Sequence, residues 1–116
     1  MKNLSFFKRL GFAIVGMRAA WYRERSFRTQ VLMGTSAIMV VLMMGASPQW
    51  LAIISITIAV VLAAELFNSS LEGLIDHLHP EIHQEIKVVK DIAAAGVLLV
   101  SIGAVTVGVL FLWAHV

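Results

Sequence analysis

The sequence predicts an all-α membrane protein, an N-terminal amphipathic surface helix followed by three transmembrane helices. Hydrophobic residues fill 59% of its 116 positions and charged residues only 14%, too apolar a balance for an ordinary soluble domain. No Asp, Glu, Lys or Arg occurs between residues 29 and 64, and from residue 92 onward the only ionisable side chain is His115. These stretches suffice for three spans, because roughly 20 apolar residues cross a hydrocarbon layer of ~30 Å.

The surface helix is expected over about residues 4–22. Leu4, Phe7, Leu10, Ile14, Met17 and Trp21 fall within about 140° on a helical wheel, interrupted by Phe12 and Arg18. Such a helix lies in the headgroup plane with Trp21 and Tyr22 as interfacial anchors, or else packs on other cytoplasmic helices. A cleaved leader is not expected, since Arg18 breaks the apolar run 10–17 and no small-residue cleavage site follows.

Span one is expected over about 29–46, with Ser47-Pro48 breaking it in a tight turn. Span two covers about 49–77, with Trp50 at the outer interface. Glu65 lies fifteen residues past Trp50, about 22 Å along a helix, near the inner edge of the hydrocarbon. His79-Pro80 stops this helix and leaves a loop over 78–84. Span three covers about 85–113 and ends at Trp113, and Ala93, Ala94, Ala95, Gly96, Gly103, Ala104 and Gly108 permit close helix approach.

Charge placement gives an orientation. All nine basic residues lie either before span one (Lys2, Lys8, Arg9, Arg18, Arg23, Arg25, Arg28) or between spans two and three (Lys87, Lys90). By the positive-inside rule both segments, the N-terminus included, are cytoplasmic and the C-terminus is outside. The net charge of +2 matters less than this placement. Without cysteine the chain has no thiol nucleophile and no thiolate metal site. No nucleic-acid recognition module is visible.

Into the end of span two the sequence sets Glu65, Asn68, Glu72 and Asp76, which share a helical stripe about 80° wide. Glu24, Glu81, His83, Glu85, Lys90 and Asp91 gather at the same membrane face. Exclusion from hydrocarbon alone collects charges at helix ends, and that accounts for the basic residues. It accounts poorly for Glu65, because taking a carboxylate out of water costs several kcal/mol unless it is protonated, paired or bound to metal. Hard oxygen donors suit Mg²⁺ better than Zn²⁺. His77, His79 and His83 read as a solvated loop. Neither a G-x-x-x-x-G-K-[ST] loop nor a protein-kinase H-R-D and D-F-G set occurs.

The run E-L-F-N-S-S-L-E-G-L-I-D (65–76), then P-E-I-H (80–83) and V-K-D-I-A-A-A-G-V-L-L (89–99), with A-A-W-Y-R-E-R-S-F-R (19–28) upstream, resembles the small bacterial diacylglycerol kinase and undecaprenol kinase family. The resemblance covers nearly the whole chain. It implies one integral-membrane lipid kinase domain over 1–116, in the bacterial inner membrane. It also implies a homotrimer with active sites shared between subunits at the cytoplasmic interface, MgATP as phosphoryl donor and a membrane lipid as acceptor.

Position by position, the resemblance makes Glu65 the general base and Asn68 the amide beside the reacting groups. Glu24 and Glu72 match the carboxylates that bind metal on the nucleotide. Lys90 and Asp91 match the pair at the phosphates and nucleotide, Glu81 and His83 match loop contacts to the nucleotide, and Asp76 matches a polar position near it. Phe12 stands where some members have tyrosine, leaving only stacking on the nucleotide. Arg18 and Trp21 join Glu65 as candidate contacts to the lipid.

Ser26 before Phe27 and Thr29 after Arg28 depart from the asparagine and histidine usual in the undecaprenol kinase branch, which favours diacylglycerol as substrate. The 91–99 stretch resembles the undecaprenol branch at least as closely, so undecaprenol kinase is the alternative. A non-catalytic oligomer forming an ion or proton pathway lined by Glu65 is the alternative of another class.

Overall fold

The computed structural model describes residues 3–116, so Lys2 among the basic residues lies outside the described residues. Four helices follow in order: α1 (Phe6–Arg23), α2 (Arg25–Met43), α3 (Pro48–Leu78) and α4 (Gln84–His115). The last three are long and apolar enough to cross a membrane. With 31 and 32 residues, α3 and α4 run about 46 and 48 Å, so each outreaches a ~30 Å hydrocarbon layer.

Ser5 caps α1 by accepting from the Lys8 amide at 3.4 Å. Only Glu24, in extended conformation (φ −112°, ψ 105°), separates α1 from α2. Arg28 stabilises this corner by donating to the carbonyls of Trp21 at 2.7 Å and Tyr22 at 3.3 Å, acceptors that the end of α1 leaves open. The second helix therefore starts at Arg25, ahead of the expected span boundary near 29. Charged residues within its first turn carry the helix beyond the apolar run.

The α2–α3 turn also differs from expectation. Gly45 rather than Ser47-Pro48 ends α2: at φ +76° its amide donates to Leu42 at 3.1 Å and the Ala46 amide donates to Val41 at 3.0 Å, a Schellman ending. Ser47 and Pro48 instead start α3, the serine accepting from the Trp50 amide at 3.3 Å and the proline filling the first helical turn. α3 stops at Leu78 and α4 begins at Gln84, leaving 79–83 as the connection.

The core is slender. Val41, Ile54 and Phe111 cluster with Ile38, Trp50, Leu51 and Ile58 packed around them. Trp50 meets the Phe111 ring edge-on at 5.4 Å, and His115 stacks on Phe111 at 4.0 Å while its Nδ1 reaches the Phe111 carbonyl at 2.8 Å. This aromatic group binds the start of α3 to the end of α4, whereas Trp113 is exposed. Hydroxyls inside the apolar helices bond back to their own backbone, Ser36 to Leu32 at 2.8 Å, Thr57 to Ile53 at 2.7 Å and Thr106 to Ile102 at 2.9 Å, as an environment without water requires.

The glycine packed against a neighbouring helix lies on α2 and not among the small residues of α4. A Cβ on Gly34 would come within 2.8 Å of Ile58 Cγ2, whereas one on Gly96, Gly103 or Gly108 would meet nothing within 4 Å. The small face of α4 therefore stays open in the single chain. An apolar groove of about 470 Å³ runs between α2, α3 and α4 past Gly34, Val61 and Gly108. α1 has no buried residue.

Candidate functional site

The unbroken helix α3 carries Glu65, Asn68, Glu72 and Asp76. Burial falls along this stripe: Glu65 is 5% exposed, the only buried charged side chain among the described residues; Asn68 and Glu72 are half-buried and Asp76 is exposed.

Glu65 is not isolated. The Ser26 hydroxyl, on the first turn of α2, donates to Glu65 Oε1 at 2.5 Å. Through this contact the corner that holds Glu24 is fixed against the middle of α3. The sequence marked Ser26 only as a departure from the undecaprenol kinase branch and gave no sign of this contact, because no periodicity relates position 26 to position 65.

At the far end of the stripe Lys90 of α4 donates to Asp76 at 2.5 Å, and Glu72 adds its attraction for the same ammonium. Asp91, expected to act beside Lys90, pairs with Lys87 at 2.7 Å in the single chain. Adjacent residues diverge by about 100° around a helix, so these two face different directions. Lys87, which the sequence marked only by its charge, thus holds one of the candidate nucleotide contacts.

In the connecting loop His83 caps α4, its Nδ1 accepting from the Glu85 amide at 3.1 Å. Glu81 lies 3.4 Å from His79, whose ring packs edge-on to that of His83 at 6.1 Å. Phe12, Arg18 and Trp21 all sit exposed on α1. Among the described residues Arg18 forms no ion pair, and this chain does not gather these three with Glu65.

The donor set suits a hard cation bound together with phosphate. Glu24 and Glu72 are the carboxylates the sequence offers for it, and Asn68 Oδ1 is buried with no hydrogen-bond partner, a position that normally demands one. This amide borders a second groove, about 340 Å³, shared with Ala64, Phe67, Leu71, Ala93 and Gly96. Among the described residues no group of three or more His, Cys, Asp or Glu gathers to hold a metal by protein ligands alone. Mg²⁺ is commonly bound by one or two carboxylates and completed by substrate phosphates.

Three apolar helices, with a polar stripe descending from a buried carboxylate, fit a multi-pass membrane protein. The family model for prokaryotic diacylglycerol kinase matches residues 11–112. The chain belongs to the prokaryotic diacylglycerol kinase family, and with it to the lipid kinases. It is 28% identical over 108 residues to the diacylglycerol kinase of Escherichia coli (strain K12), covering 93% of this chain and 88% of the relative. The same values hold for the diacylglycerol kinase of Shigella flexneri. It is 32% identical over 98 residues to the diacylglycerol kinase of a Synechocystis species, covering 84% of this chain and 56% of that one.

Proposed function

We propose that this chain transfers the γ-phosphoryl group of ATP to diacylglycerol, giving phosphatidic acid and ADP. The observation that carries the reading is Glu65, a buried carboxylate at the head of a polar stripe in a chain of this family. The lipid hydroxyl oxygen attacks the γ-phosphorus, its proton passes to Glu65, and the bond to the β–γ bridging oxygen breaks to release ADP. Such a transfer needs chiefly alignment and charge neutralisation.

Glu24 and Glu72 hold Mg²⁺ on the nucleotide, and the cation supplies neutralisation of triphosphate charge when bound. Asn68 orients the reacting groups. Lys90 and Asp91 bind the phosphates and nucleotide, with Asp76, Glu81, His83 and the Phe12 ring around them. Arg18 and Trp21 contact the lipid from α1, which lies amphipathically along the membrane surface. Residues 1–116 act as one domain of a homotrimer in the bacterial inner membrane. The N-terminus and the sites, each completed by a neighbouring subunit, face the cytoplasm, and the C-terminus faces outside. The open small face of α4 and the unburied α1 support assembly with further surfaces, since a span three helices thick cannot enclose a substrate alone.

Purified protein supplied with MgATP and either diacylglycerol or undecaprenol tests the reading. Phosphatidic acid formed faster than undecaprenyl phosphate is the expected result; the reverse order would transfer the assignment to undecaprenol kinase. Formation of neither product would reject lipid phosphorylation. An ion or proton pathway, by contrast, would leave Glu24, Lys90 and Asp91 without a role and is not favoured by the family.

A further inference from the structure

The Ser26–Glu65 contact joins residues 39 positions apart, and the two oxygens of Glu65 fare differently. Oε1 accepts from Ser26. Among the described residues Oε2 accepts no hydrogen bond, yet it is not among the sealed, unpartnered atoms, of which Asn68 Oδ1 is the one found. One oxygen is thus anchored, and the other is left without a donor among the described residues. The terminal torsion of a glutamate is broad and roughly two-fold, so an unanchored carboxylate would sample many orientations of its basic lone pairs.

Ser26 itself stands on a fixed base. Phe27 beside it is buried, at 6% exposure, and Arg28 ties the same turn to the end of α1. The serine is otherwise exposed, so removing its hydroxyl leaves no cavity in the core and a larger side chain has room.

The geometry points to Ser26 as a positioning residue: its hydroxyl fixes Glu65 Oε1 so that Oε2 faces the lipid alcohol. This rests on Glu65 being the general base. Ser26 touches neither substrate nor nucleotide in this role. It sets the direction of the carboxylate, as a supporting shell does for a reactive group that must be held within a fraction of an ångström.

The test compares Ser26→Ala, Ser26→Thr and Ser26→Val in the full-length assembled protein, measuring kcat, KM for lipid and for MgATP, and thermal inactivation. Ser26→Ala is expected to lower kcat about tenfold to a hundredfold, the scale of a misplaced reactive group, with both KM values within about twofold. Ser26→Thr restores most of the rate and Ser26→Val, of the same shape without the hydroxyl, does not. Should Ser26→Ala fail to assemble, the Thr and Val variants decide. Equal activity of those two, or an unchanged kcat in Ser26→Ala, overturns the proposal. Glu65→Gln separates the two levels: if it stays active the base assignment itself falls, whereas an inactive Glu65→Gln beside a fully active Ser26→Ala removes only the role of the serine.

Discussion

Lys90 of α4 holds Asp76 of α3 at 2.5 Å, with the two side chains 33% and 63% exposed, so the lysine assigned to the nucleotide phosphates rests on the last acid of the α3 stripe. A pair this open is screened by solvent and contributes little to stability. Asp76→Asn is therefore expected to leave thermal inactivation almost unchanged. Lys90→Ala is expected to raise the KM for MgATP at least about tenfold, as loss of a charge-assisted phosphate contact does. Inactivation curves and ATP titrations on the two variants check this, and an unchanged KM in Lys90→Ala would remove it from the nucleotide site.

Glu65→Gln preserves shape and leaves an amide oxygen to accept from Ser26, so assembly is expected to persist. Turnover should fall at least about a hundredfold, the scale of general-base catalysis. Size-exclusion profiles and phosphorylated lipid measured on one preparation separate the two effects.

Gly34→Ala places a methyl 2.8 Å from Ile58 Cγ2. Overpacking of this kind costs about 1–3 kcal/mol, and a β-branched neighbour yields poorly. The variant is expected to inactivate at lower temperature, and adding Ile58→Ala should cost less than the sum of the two single changes. Simple additivity would show that the two helices do not touch there.

Gly45→Ala meets no neighbouring atom but must adopt φ +76°. The expected loss is about 1–2 kcal/mol from backbone strain alone. Gly45→Asn should lose less, because asparagine enters the left-handed region more readily. Thermal inactivation of the pair checks the order.

Much of this architecture was legible because hydrophobic runs and helix punctuation act locally. The charge-free run from 29 to 64, the His79-Pro80 stop and the α3 stripe through Glu65 and Asp76 follow from period and burial cost. The end of α2 was misplaced because both Gly45 and Pro48 break helices, and only the backbone reveals that glycine stops one helix while proline starts the next. Close approach was expected on α4 because it is rich in glycine and alanine, yet the glycine pressed against a neighbouring helix is Gly34 of α2. Small size permits contact without selecting the partner. Ser26 was legible only as a departure from the undecaprenol kinase branch; its bond to Glu65 was not, since that depends wholly on a carboxylate on another helix.

The α3–α4 hairpin is fastened at its two ends by clasps of opposite temper. Near the loop the fastening is Lys90 on Asp76, exposed and ionic; at the other end it is the Trp50, Phe111 and His115 rings. Added salt screens the first and hardly touches the second, so ionic strength acts on the loop end, where the acids of α3 lie, and not on the end closed by the rings.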